Sequence, residues 1–161
     1  MKRRSFLRNS VISATGVIIT NDLFCNGKGG SIYGHNEMTY RLDTRWGELK
    51  PGRTPVNDCH EMIQDAYGRI LLLTNETKNN IIIYNKDGSL IDTWGNDFPG
   101  AHGLTVQNNG KEDYLFITDT VKHQVYKTTI DGRILLTIDA PSDISAYKKR
   151  ETFLPTETAV L

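Results

Sequence analysis

Long apolar runs are missing from this sequence of 161 residues. The most hydrophobic stretch near its start, residues 11–19, is interrupted by Ser13, Thr15 and Gly16. It is shorter than the roughly 20 residues a membrane-spanning helix needs, so no stable membrane anchor is expected. A charge of one sign is missing too: 19 basic residues balance 19 acidic ones. Nothing therefore recommends a nucleic acid or an anionic membrane surface as partner. Two cysteines, Cys25 and Cys59, are too few for a disulfide framework. No long stretch has the 3.6-residue period of an amphipathic helix, which excludes helical repeat arrays. What remains is a chain 38% apolar, too rich for disorder, whose information lies in the order of its residues.

That order repeats. Residues 69–88 and 113–132 align without a gap: Thr74 with Thr118, Asn75 with Asp119, Lys78 with Lys122, and Asp87-Gly88 with Asp131-Gly132, all 44 residues apart. Upstream, His60 and His102 open the two units 42 residues apart, and two extra residues near Lys111-Glu112 absorb the difference. A period in the forties containing strand-like runs is that of a β-propeller blade. Four strands are expected in each unit, near residues 60–65, 70–75, 80–85 and 90–94, then 102–106, 114–119, 124–129 and 134–138. Tyr67-Gly68 and Asp87-Gly88 supply hairpin turns, where glycine accepts a positive φ. Residues 70–73 and 81–83 are continuously apolar, as in strands buried on both faces. Asn75 and Asp119, at matching places, are expected to cap exposed backbone N–H groups.

The ends read differently. Residues 1–30 open with a charged segment and a short apolar run, an export leader with its linker. Within it, Arg3-Arg4-Ser5-Phe6-Leu7-Arg8 is similar to the twin-arginine export motif, with Arg8 in place of lysine. The expected partner is the twin-arginine export machinery, and the expected location is periplasmic or extracellular. Leu23-Phe24 before Cys25 do not fit a lipoprotein site. Residues 26–35 read as linker, and residues 38–47, ending in Trp46-Gly47, read as the last strand of an incomplete blade that echoes Trp94-Gly95. Residues 140–154 read as a long, partly helical connection, and residues 155–160 as the first strand of a third unit, with Thr156 where His102 sits.

The expected fold is thus all-β, a partial β-propeller over residues 38–161, with four-stranded antiparallel blades at about 60–95 and 102–139. A propeller needs at least four blades, so the chain is expected to be a truncated copy of a protein of about 350 residues. Assembly of several chains into one ring is the alternative.

The unit pattern resembles the NHL-type repeat of six-bladed propellers. It is carried by Ala101-His102-Gly103-Leu104-Thr105-Val106, Ile117-Thr118-Asp119 and Trp94-Gly95. Within that group it is most similar to the peptidyl-α-hydroxyglycine α-amidating lyase family. The resemblance implies a metal in the central channel, held by histidines at the inner ends of blade-opening strands. His60 and His102 would be two such ligands, of Zn²⁺ by donor chemistry. It also implies a substrate-binding arginine, to which Arg45 would correspond, with pairing to Asp43 as the other reading. No third ligand and no catalytic tyrosine segment are found. The implied function of the intact protein is a metal-dependent lyase or hydrolase acting on a small-molecule or peptide substrate, the chain alone being inactive. Two alternatives stand beside it: a non-catalytic propeller binding a glycan, peptide or protein, and a sugar-lactone hydrolase with Ca²⁺ on oxygen ligands. Glu61 is read either as a support for His60 or as merely polar, and His123 as a solvated residue on an outer turn.

Overall fold

The computed structural model describes residues 31–147 and 149–157. The leader, its twin arginines and Cys25 lie outside the described residues, as do residues 158–160 of the expected third-unit strand. The chain divides into two compact units between Thr44 and Arg45. No helix among the described residues is long and apolar enough to cross a membrane.

The described residues of the first unit form a hairpin, β1 (Ile32–His35) and β2 (Met38–Arg41), with His35 opposite Met38. The expected linker therefore contains a strand, and the expected strand over 38–47 ends at Arg41. The reason is local. Asn36 takes a φ of 54° in the two-residue turn, and Gly34 takes 112°, so the chain already folds back at residues 36–37, inside the stretch that reads as linker.

The second unit is all-β, a partial β-propeller of two four-stranded antiparallel meanders. The first sheet is β3 (Cys59–Gln64), β4 (Ile70–Thr74), β5 (Ile81–Tyr84) and β6 (Leu90–Trp94), hydrogen-bonded in that order. The second is β7 (Ala101–Asn108), β8 (Asp113–Asp119), β9 (Gln124–Thr129) and β10 (Ile134–Asp139). The connection after β10 contains two single 3-10 turns, Ser145–Tyr147 and Arg150–Thr152, so its helical content is slight. Residues 155–157 form no strand.

The sheets pack face to face, with β3 and β4 against β7. Ile63, Leu71, Leu73, Ile81 and Ile83 come from one side, and Leu104, Val106, Leu115, Ile117 and Tyr126 from the other. Phe98, from the connection between sheets, sets its ring edge-on to Tyr126 at 4.9 Å. Two carboxylates cross the seam in opposite directions. Leu104 N–H donates to Glu61 Oε2 at 2.6 Å, and Ala66 N–H donates to Asp113 Oδ2 at 2.7 Å. Each fully buried Leu or Ile contributes about 1.5–3 kcal/mol. A single hydrogen bond to a charged group contributes about as much as one such side chain. The apolar seam thus holds the sheets together, and the two carboxylates set how they are registered.

Register corrects one expectation. In the first sheet Leu71 lies between Ile63 and Ile83; in the second, Phe116 lies between Thr105 and Lys127. Thr105 follows Ile63 by 42 residues and Lys127 follows Ile83 by 44, whereas Phe116 follows Leu71 by 45. The gapless alignment at 44 therefore fails in β8, which is slipped by one residue. A one-residue slip turns every side chain to the opposite face. Leu71 faces the second sheet, and Leu115, its partner by sequence, faces back toward the first. The slip costs little because residues 70–73 and 115–117 are apolar throughout, so either face can be buried.

At the far end, Trp46 packs on the outer face of the first sheet, 5.5 Å from the Tyr84 ring, and donates from Nε1 to Lys86 O at 2.8 Å. A Cβ on Gly88 (φ +84°) would meet Gly47 N at 2.5 Å and the Trp46 ring at 3.2 Å. A Cβ on Gly132 (φ +95°) would meet the Trp94 ring at 2.6 Å. Trp46 thus sits on the first sheet where Trp94, the end of the first sheet, sits on the second. The repeated Trp-Gly is a repeated contact.

Candidate functional site

Both sheets start their inner strand with an irregularity. In β3 the register shifts between Cys59 and Glu61, and in β7 between Ala101 and Leu104. A bulge of this kind re-aims the side chain it carries, which in an undisturbed strand would be fixed by alternation. His60 sits in the first irregularity and His102 in the second. Their rings come together with centroids 4.3 Å apart and planes 23° apart. Two residues 42 positions apart in sequence are in direct contact, at the same place in successive sheets.

The tautomer of one ring follows from its hydrogen-bond partner. His102 Nδ1 lies 3.1 Å from Thr156 O. A carbonyl has no proton to give, so Nδ1 carries the hydrogen and Nε2 of the neutral ring keeps its lone pair. This is the support given to a histidine that acts through its other nitrogen as ligand or base. The same carbonyl accepts from Thr118 Oγ1 at 3.2 Å, and Thr118 Oγ1 in turn accepts Gly103 N–H at 2.7 Å. Gly103 leaves room for this: a Cβ there would stand 2.5 Å from Thr156 O.

Around the pair, Glu61 is committed to Leu104 N–H, and Cys59, a free and exposed thiol, begins the same strand. Although the residue is exposed overall, partial burial of its sulfur pushes the Cys59 thiol above its ordinary value, with a hydrogen bond from Thr74 opposing the shift and Asp58 adding to it. That makes it a poor thiolate at neutral pH.

As a zinc site the pair fits only in part. Imidazole nitrogens are good zinc donors, and a zinc ion lies in the plane of each ring it binds, about 2.0–2.1 Å from the nitrogen. Rings 4.3 Å apart and 23° from parallel are stacked, so in this arrangement their in-plane lone pairs do not converge on one ion. Among the described residues, no three His, Cys, Asp or Glu side chains gather to hold an ion.

Arg45 is not brought to the pair. It precedes Trp46, which is anchored at the β5–β6 turn, and His60 is on β3 at the opposite end of that sheet. Its exposed side chain has interactions of its own. His35 is exposed in β1. His123 is half-buried, not solvated: at φ 54° its Nδ1–H donates to Phe153 O at 2.8 Å, because the connection after β10 returns across this turn. The role of Glu61 was not legible in the sequence, since nothing local says which backbone group will face a strand carboxylate.

The capping role expected of Asn75 belongs to its neighbour. Thr74 Oγ1 accepts Asn57 N–H at 3.0 Å and Glu76 N–H at 3.1 Å, while Asn75 exchanges side-chain hydrogen bonds with Asn57 and Asp58. Asp119 does cap, accepting the N–H groups of Gly100, Val121 and Lys122. Among family models, curated proteins and solved structures, none matches this chain.

Proposed function

We propose that the chain supplies two blades of an exported NHL-type propeller, and that His60 and His102 form its channel-side reactive centre. In its intact form, such a protein would be a lyase or hydrolase resembling the α-amidating lyases and acting on a small-molecule or peptide substrate. One observation carries the reading: two imidazoles from equivalent irregularities of successive sheets stand 4.3 Å apart. A core histidine satisfied by a carbonyl would need no second ring beside it. The tautomer held by Thr156 leaves His102 Nε2 as the nitrogen that meets a ligand.

Zinc is the proposed ion; His60 and His102 would hold it together only once one ring turns out of the stack so that both lone pairs meet, and the ion would then supply Lewis acidity or an activated water. Calcium, which prefers oxygen ligands, suits this pair less. Export by the twin-arginine route belongs to the same proposal and rests on Arg3 and Arg4.

Calorimetric titration of the full chain with Zn²⁺ tests the metal. The expected result is one ion per chain, with affinity falling at least tenfold in His60→Ala and in His102→Ala. Equal binding by the double variant would overturn it. The face-to-face rings favour a second reading, in which the propeller is not catalytic and its channel mouth binds a glycan, peptide or protein; an absence of zinc binding would support that one.

A further inference from the structure

The position after each histidine differs between the two repeats: Glu61 follows His60, and Gly103 follows His102. Elsewhere the repeats keep their turn residues and apolar strands, so an exchange of the longest acidic side chain for none at all asks for a cause. Both sides of the exchange have one. Gly103 clears the space into which the Thr156 carbonyl reaches to meet His102 Nδ1 and Thr118 Oγ1. Glu61 does the opposite and reaches out, its Oε2 taking Leu104 N–H at 2.6 Å. Leu104 is where β7 recovers its register after the irregularity that carries His102. β7 is the edge strand of its sheet, so N–H groups on its free side have no ladder partner, and Glu61 supplies one from the neighbouring sheet.

We propose that Glu61 is the positioning residue of the histidine pair, holding the bulge of β7 against β3 in the one registration that brings the His102 ring over His60. It acts as a hydrogen-bond acceptor on the backbone, not as a group that touches a ligand. This rests on the pair being the functional centre but not on its metal. The carboxylate is one residue from His60 on its own strand, and its bond lands two residues from His102 on the other. One contact therefore fixes both rings relative to each other. The mutual approach of the sheets is already secured by apolar packing, so the loss of Glu61 would free the rings without separating the blades.

The test is NMR of the full chain with labelled histidine, in wild type, Glu61→Gln and Glu61→Ala. Wild type is expected to show a nuclear Overhauser effect between the ring protons of His60 and His102, with mutual ring-current shifts. Glu61→Gln, whose side-chain carbonyl still accepts from Leu104 N–H, is expected to keep both. Glu61→Ala is expected to lose both, and to lose protection of the Leu104 amide against exchange by roughly 10- to 100-fold, the worth of a hydrogen bond to a charged acceptor. The Leu115 and Ile117 amides, deep in the seam, should stay protected.

Ring contacts that persist in Glu61→Ala would overturn the proposal. So would their loss in Glu61→Gln, since charge and not acceptance would then be what matters. Should Glu61→Ala fail to fold, Glu61→Leu, of similar size but unable to accept, replaces it under the same criterion. Zinc binding is read separately: a chain that keeps the ring contact and binds no zinc refutes the metal and leaves the positioning role intact.

Discussion

Thr74 and Asp119, forty-five residues apart, occupy the same place in the two sheets. Each ends the second strand of its sheet, and each accepts the N–H two residues ahead: Glu76 for Thr74 and Val121 for Asp119. Each also accepts an N–H from the segment that leads into its sheet's inner strand, Asn57 in one case and Gly100 in the other. A hydroxyl and a carboxylate thus do one job, and the register of β4 and β8 says the same thing independently.

Asp119 is fully buried and receives three backbone N–H groups. Asp119→Ala is expected to lower stability by about 3 kcal/mol, since buried donors left without a partner cost about 1–3 kcal/mol each. Asp119→Thr, which copies the first sheet, is expected to recover part of the loss. Urea denaturation of both variants measures this.

The slip in β8 decides which apolar side chain is in the seam. Leu115 is fully buried there, whereas Phe116 is half-buried on the opposite face. Leu115→Ala is expected to cost about 2–5 kcal/mol and Phe116→Ala less, although phenylalanine is the larger residue. The reverse order in denaturant midpoints would mean that the gapless alignment holds after all.

Gly103 has no room for a methyl group, with Thr156 O at 2.5 Å and Thr118 Oγ1 at 2.9 Å from a built Cβ. Gly103→Ala is expected to push residues 153–157 off the sheet, at a cost of about 1–3 kcal/mol. Proteolysis of that segment should quicken, and the His102 ring should lose its fixed tautomer, visible in its ¹⁵N shifts.

Tyr84 and Tyr126 are buried, and burial holds both phenols above the ordinary tyrosine value. Nearby acidic groups add to it, Cys59 and Glu48 for Tyr84 and Asp119 for Tyr126. The folded state thus keeps protons that the unfolded chain releases near pH 10. Stability from this source is complete below that pH and falls as pH rises through the raised values. Circular dichroism against pH should show the loss beginning near pH 10, and Tyr84→Phe with Tyr126→Phe should move it upward.

Export is tested on Arg3 and Arg4. Replacing both with lysine is expected to leave the chain in the cytoplasm of a bacterial host, and unchanged export would remove the twin-arginine reading.

Much of the fold was legible because its causes are local. Asp87-Gly88 and Asp131-Gly132 form turns with positive-φ glycines at Gly88 and Gly132, and the apolar runs between turns become strands within a residue or two of their expected ends. The hairpin at residues 32–41 was missed since its turn, Asn36-Glu37, lacks glycine and its flanks are mixed in polarity. His60 and His102 could be singled out by their matching positions. That their rings stack face to face could not, because it depends on two bulges that no local pattern announces.

Turn chemistry and strand composition act over a few neighbouring residues, so the two four-stranded meanders follow from residue order alone. Which face of β8 is buried does not follow from residue order, because residues 115–117 are apolar on both sides and the choice falls to the packing of one sheet on the other. That packing also decided the work of Glu61, whose acceptor finds Leu104 N–H only once two strands, 43 residues apart in the chain, lie side by side.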